Sequence, residues 1–144
     1  MSLETKALSD FQNVISCEMD LQDALAGGSL DGYAIRDTNL SRTSFENRML
    51  KNVLIHRTSM PSLRMDSMDA NAIQCTACNL RGCSMRDANI DGWNMLNCHA
   101  IECRFEDTLL QNGNFFESDL VNCNFNRSKI VKTQFQSNNM YGAS

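Results

Sequence analysis

The chain has 144 residues, with 13 Lys and Arg against 17 Asp and Glu, and a net charge of −4. That length suits a single domain, and the acidic balance argues against direct nucleic-acid binding, which needs a basic surface to neutralise phosphates. No apolar run reaches membrane-spanning length, so no membrane partner is expected, and no charged start followed by an apolar stretch marks a Sec-type leader.

Residues 1–26 read as an N-terminal cap or irregular segment. Leu8, Phe11, Ile15 and Met19 recur at spacings of three and four, which predicts a short amphipathic helix with Ser9 and Gln12 as its capping box. Cys17-Glu18-Met19 reads alternatively as an irregular first repeat. Gly27-Gly28 marks the junction with the region 27–144.

From there an apolar residue returns at every fifth position. The column runs Leu30, Ile35, Leu40, Phe45, Leu50, Ile55, Met60, Met65, Ala70, Cys75, Leu80, Met85, Ile90, Met95, Ala100, Phe105, Leu110, Phe115, Leu120, Phe125, Ile130, Phe135 and Met140. With 42% of the chain apolar, twenty-three matches in one phase have a chance probability on the order of one in 10^8. A helix would repeat at 3.6 and a half-buried strand at 2, so a sustained five requires a repeat architecture.

A second column lies two residues earlier. From Cys78 to Thr133 it holds small residues except at Trp93. Over 46–75 it is disturbed: Arg48, Val53, Leu63, Met68 and Ile73 are too large or charged for it. An unpaired Arg cannot point into an apolar core, so the chain there should bulge, shift register or turn Arg48 outward. Ala70 after Met68 and Cys75 after Ile73 swap large for small and conserve volume. Pro61 sits at a corner, where a missing N–H is tolerated. The basic run His56 to Arg64, including Arg57 and Pro61, reads as a protruding loop, either a tolerated bulge or a binding loop.

Segments such as Asp87-Ala88-Asn89-Ile90-Asp91 and Ser118-Asp119-Leu120-Val121-Asn122 resemble the A(D/N)LXX consensus of the pentapeptide-repeat proteins, over about three quarters of the chain. The resemblance implies an all-β fold, a right-handed quadrilateral parallel β-helix of four pentapeptides per coil, with a short N-terminal capping helix. Roughly six coils would give a rod of about 28 Å at the usual strand spacing. Residues twenty apart should then stack, and phenylalanines do fall on two opposite walls and leucines on the other two.

Little chemistry is visible. Cys75, Cys78, Cys83, Cys98, Cys103 and Cys123 fall on the inward columns, so they read as small core residues rather than as metal ligands or disulfides. Free thiols, and an odd total of seven, point to a reducing compartment, the cytoplasm of the producing cell or of a host. Neither His56 nor His99 has a nucleophile partner. Glu102, Glu106, Asp107, Glu117 and Asp119 read as an acidic outer surface rather than an acid–base pair. No phosphate-binding loop or hydrolase serine motif occurs. No cofactor, no metal and no enzymatic activity are expected.

What remains is surface. Leu96, Ile101, Phe116, Val121, Val131 and Tyr141 are apolar at outward positions, with Leu109 nearby, and a contiguous apolar patch usually marks an interface. The open last coil, with Phe125, Ile130 and Phe135, calls for closure by a second copy, a homodimer through the C-terminal end. The reading is a rigid, non-catalytic interaction module for a protein partner. The resemblance adds one alternative, a DNA mimic that binds a type II topoisomerase such as DNA gyrase, and the polar, irregular start of residues 1–26 adds another, a secreted bacterial effector. Mimicry needs rows of carboxylates, and the ladder Glu46, Asp66, Arg86, Glu106, Asn126 is broken by a cation.

Overall fold

The computed structural model describes residues 7–144. Its strands are β1 (Asn13–Ile15), β2 (Tyr33–Arg36), β3 (Met49–Lys51), β4 (Leu54–His56), β5 (Asp69–Asn71), β6 (Gln74–Thr76), β7 (Asn89–Asp91), β8 (Asn94–Leu96), β9 (Leu109–Gln111), β10 (Asn114–Phe116), β11 (Lys129–Val131) and β12 (Gln134–Gln136), with one α-helix, α1 (Glu18–Ala26). All strand pairs are parallel and offset by twenty residues, as in Ile55 opposite Cys75 and Leu50 opposite Ala70. The chain therefore winds as a four-sided β-solenoid.

Side one is the five-stranded sheet β3-β5-β7-β9-β11, centred on the Leu50 column. Side two is the seven-stranded sheet β1-β2-β4-β6-β8-β10-β12, centred on Ile35, Ile55, Cys75, Met95 and Phe115. Sides three and four are held by single bridges, the ladders Asn39-Ser59-Asn79-His99-Asp119-Asn139 and Ser44-Arg64-Ser84-Arg104-Asn124. The inward residues Leu40, Met60, Leu80, Ala100 and Leu120 line side three, and Phe45, Met65, Met85 and Phe105 line side four, all buried.

A square coil needs a sharp corner every five residues, and a left-handed residue supplies it. Positive φ recurs two positions after each inward residue, at Asn47, Asn52, Arg57, Ser62 and Ser67 and onward to Ser137. Asn and Asp tolerate this region best, and glycine more freely still; Gly82 and Gly92 occupy two such corners at φ 70° and 73°. On sides three and four the corners close with turn hydrogen bonds, such as Cys83 N–H to the Leu80 carbonyl at 3.0 Å.

The region 46–75 keeps this register, which corrects the expectation of a bulge and a protruding loop. His56 closes β4, Ser59 bridges Asn39 and Asn79, and Arg64 bridges Ser44 and Ser84. Val53, Thr58, Leu63, Met68 and Ile73 all point inward and are buried. The core here trades a large residue in one column against a small one in the other, and continuous backbone pairing outweighs the local excess of volume. One coil beyond Trp93, Gly113 packs tightly: a Cβ there would lie 3.2 Å from the Trp93 carbonyl oxygen and 3.3 Å from the Thr133 methyl. Arg48 turns outward, and its Nη1 donates to the Leu25 carbonyl at 3.4 Å.

The N-terminal segment also differs from expectation. Leu8–Asp10 is a single 3-10 turn, and the Ala7 N–H is capped by Asp10 Oδ2 at 2.8 Å rather than by a Ser9–Gln12 box. Asn13–Ile15 is strand β1, with Ile15 in register on Ile35, so the five-residue phase begins earlier than the regular columns suggest. Pairing with β2 satisfies this backbone, which a helix over 8–19 would leave unused at the sheet edge. The helix comes next, with Leu21 and Leu25 buried on the core and Met19 exposed. It is fastened by Glu18, whose Oε1 accepts from the Arg42 N–H at 2.6 Å and the Thr43 hydroxyl at 2.8 Å.

At the other end the aromatic columns stack. Phe105 and Phe125 lie 4.7 Å apart and near-parallel, and Phe115 and Phe135 lie 4.9 Å apart. In the last coil Phe125 and Phe135 are half-buried, while Ile130 and Met140 are exposed.

Candidate interaction surface

The cysteines come first, because they could have carried chemistry. Among the described residues the seven thiols are free, six of them buried, and no group of three or more His, Cys, Asp or Glu is placed to hold a metal. Five of the six inward thiols have a backbone partner instead. Cys78, Cys83, Cys98, Cys103 and Cys123 donate to the carbonyl twenty-three residues earlier, at 2.8–3.4 Å. Thr108 and Thr133 do the same on side one and side two with hydroxyls. Burial pushes the Cys75 thiol well above its ordinary value, and the Cys103 thiol beside it, with burial, pushes Cys123 up as well. The Cys75 and Cys123 thiols are thus held protonated and act as small core groups.

The expected acidic surface is largely neutralised. Glu102 pairs with Arg81 at 3.6 Å, Glu106 with Arg104 at 3.4 Å and Asp107 with Arg127 at 2.7 Å. Glu106 is moreover buried, its Oε1 also accepting from Asn124. Glu46 and Asp66 are held by Arg64 and Arg86. Burial pulls the Asp66 carboxyl upward, but hydrogen bonds from Ser84 and Arg86 outweigh it and hold the group below its ordinary value. Of the five expected acids, Glu117 and Asp119 have no ion pair among the described residues.

The six expected interface residues do not form one patch. Leu96 and Phe116 stand in register on neighbouring rungs of side two. Ile101, Val121 and Tyr141 lie at the turns that follow side three, with Tyr141 79% exposed. Val131 and Leu109 belong to side one. Along the rod their spacing in sequence is regular, but the corners send them in different directions.

Side two instead joins parts of two separate expectations. Its outer column reads His56, Thr76, Leu96, Phe116, each in register with the next. A groove of about 290 Å³ opens here, lined by Leu8, Leu54, His56, Arg57, Thr76 and Leu96, with Gln74 at its floor. Pro61 and Arg64 stay outside it, on sides three and four. At its upper end the chain covers its own sheet: Phe11, with Leu8 packed alongside, forms an apolar cluster with Ala34 and Leu54. Leu54 was missed by the sequence reading, although an apolar Ala34 and Leu54 one position before the inward column were a visible signal.

Residues 67–135 match the family model described as the pentapeptide repeat region. Over that stretch the chain is a pentapeptide-repeat protein. Its repeats continue in the structure on both sides of the matched stretch, from β1 to β12. Among solved structures, this pentapeptide-repeat chain is similar to a trypsin-treated form of QnrB1, a plasmid-mediated fluoroquinolone resistance protein, with a TM-score of 0.54 at 10% identity over 91% of this chain and 72% of that one. It is also matched to HetL, a pentapeptide repeat protein involved in heterocyst differentiation regulation from the cyanobacterium Nostoc sp. strain PCC 7120, with a TM-score of 0.33 at 12% identity over 90% of this chain and 85% of that one. At 10% identity the likeness to QnrB1 is one of fold alone. No curated protein sequence matches. No helix among the described residues is long and apolar enough to cross a membrane.

Proposed function

We propose that this pentapeptide-repeat protein is a rigid, non-catalytic interaction module that receives a protein partner on side two, at Leu96 and Phe116 and in the groove beside His56 and Arg57. The observation that carries the reading is that this face already docks an apolar segment. Phe11 and Leu8 pack on Ala34 and Leu54 at one end of it, while Leu96 and Phe116 continue the same face half-exposed. A continuous seven-stranded sheet holds these side chains at fixed spacing, so binding orders little of the module itself.

The test is affinity capture with the wild-type protein and with Leu96→Asp/Phe116→Asp, using Tyr141→Ala as the control on another edge. A partner retained by wild type and by the control but lost by the double variant supports the reading. A partner set that ignores the double variant overturns it.

The DNA-mimic reading has the fold of QnrB1 in its favour and the charge pattern against it. Carboxylates paired with arginines on the next rung do not present the field of a phosphate backbone. A supercoiling assay with DNA gyrase, with and without a quinolone, separates the two. Inhibition or protection at low micromolar protein would replace the side-two reading. Association of two copies through the coil that exposes Ile130 and Met140 is the remaining part of the proposal, and sedimentation of wild type against Ile130→Glu tests it.

A further inference from the structure

Seven of the nine arginines hold a carboxylate: Arg36, Arg57, Arg64, Arg81, Arg86, Arg104 and Arg127. Arg42 and Arg48 have no ion pair among the described residues, and they converge. Both line one open pocket of about 330 Å³ between α1 and the first coil, together with Gln22, Thr43 and Ser44.

The local backbone places them there. Arg42 stands at the one corner from Gly32 to Gly142 that does not take the left-handed conformation. Its N–H is drawn instead to Glu18 on the helix. Arg48 occupies the small-residue column, where its counterparts Met68, Ala88 and Thr108 are buried. At the end of the core it turns out beneath the helix, spending one donor on the Leu25 carbonyl. Glu18, at the start of α1, has its Oε1 taken up by the Arg42 N–H and the Thr43 hydroxyl. Among the described residues, the Arg42 guanidinium, the remaining donors of Arg48 and the Gln22 amide carry no hydrogen bond in this pocket.

We propose that Arg42 and Arg48 form a binding site for a phosphate-type oxyanion, independent of the side-two surface. Planar guanidiniums give paired, charge-assisted hydrogen bonds that match tetrahedral oxyanions, and the volume lies at the lower end of small-ligand pockets. Two guanidiniums line the pocket against the single Glu18 carboxylate bonded beside it, so an anion between them balances the remaining positive charge as well as filling donors.

The experiment is an NMR titration of the full chain with inorganic phosphate, phosphoserine and AMP, each against chloride at matched ionic strength. Saturable shifts should appear at the Gln22, Thr43 and Ser44 amides. Affinity should fall roughly tenfold or more in Arg42→Gln and in Arg48→Gln, with Arg81→Gln unchanged. Tighter binding of phosphoserine than of phosphate assigns the site to a phosphorylated segment, of AMP to a nucleotide, and equal binding to the free anion. Absence of saturable shifts in the low-millimolar range, or equal shifts in the variants, overturns the proposal. Arg42→Lys, which keeps the charge, provides the reading should Arg48→Gln fail to fold.

Discussion

The thiol of Cys103 donates to the carbonyl of Leu80 at 2.9 Å, and Cys123 repeats the contact on Ala100 at 2.8 Å. The small column is therefore a column of donors as well as of small volumes. Ser118, in the equivalent column of side three, shows that a hydroxyl fits such a place, donating to the Phe116 carbonyl at 2.8 Å. Cys103→Ala should cost about 1 kcal/mol through the lost donor and the lost sulfur volume. Cys103→Ser should cost less, because it keeps the donor. Urea unfolding of the two variants checks the order; equal losses would show that volume alone matters, and a smaller loss for Ala that burying the hydroxyl outweighs its hydrogen bond.

Ala72 and Gly92 are corner residues one coil apart, both left-handed, at φ 55° and 73°. An L-residue with a Cβ is strained there by about 1–2 kcal/mol, partly offset by glycine's larger chain entropy. Ala72→Gly should therefore raise the melting temperature and Gly92→Ala should lower it. Space is not the cause, since a Cβ on Gly92 would meet Ala72 only at ordinary contact distance, 3.6 Å.

Met68 and Ala70 share one pentapeptide, large in the column that is elsewhere small. Met68→Ala should destabilise by about 2–4 kcal/mol by opening a cavity. Adding Ala70→Leu should recover part of that loss, whereas Ala70→Leu alone should overpack and destabilise. A double-mutant cycle by denaturant unfolding measures the coupling, and additive losses would mean that the two columns do not share volume.

Asp66 has a folded-state value below its ordinary 3.8, held there by Ser84 and Arg86 despite burial. A depressed value means that the unfolded chain takes up its proton first. The contribution to stability is thus full above pH 3.8 and is lost as pH falls through the lower folded value. Asp66→Asn should flatten the acid limb of the stability–pH curve in that window and lower stability at neutral pH. The change should be modest, because the Arg86 side chain is 43% exposed and solvent screens the pair.

The inward columns were legible in the sequence because burial imposes its period directly: one large side chain per side, from Leu30 to Met140, whatever lies outside. The twenty-residue superperiod followed from phenylalanine and leucine keeping to separate walls. Outward side chains obey no such rule. The twenty-residue stacking already set Leu96 against Phe116, but whether Leu96 also meets Ile101 depends on the corner between them, and only the structure showed side two continuing through Thr76 and His56 into the groove. The disturbed stretch misled for a related reason, since a large residue at Leu63 or Met68 is judged against the column average, while the coil packs the sum of both columns. The start of the chain was ambiguous because Phe11 and Ile15, four apart, fit a helix face as well as a strand and its approach. Pairing of β1 with β2 decided between them, and with it the placing of α1, Arg42 and Arg48 at the head of the solenoid.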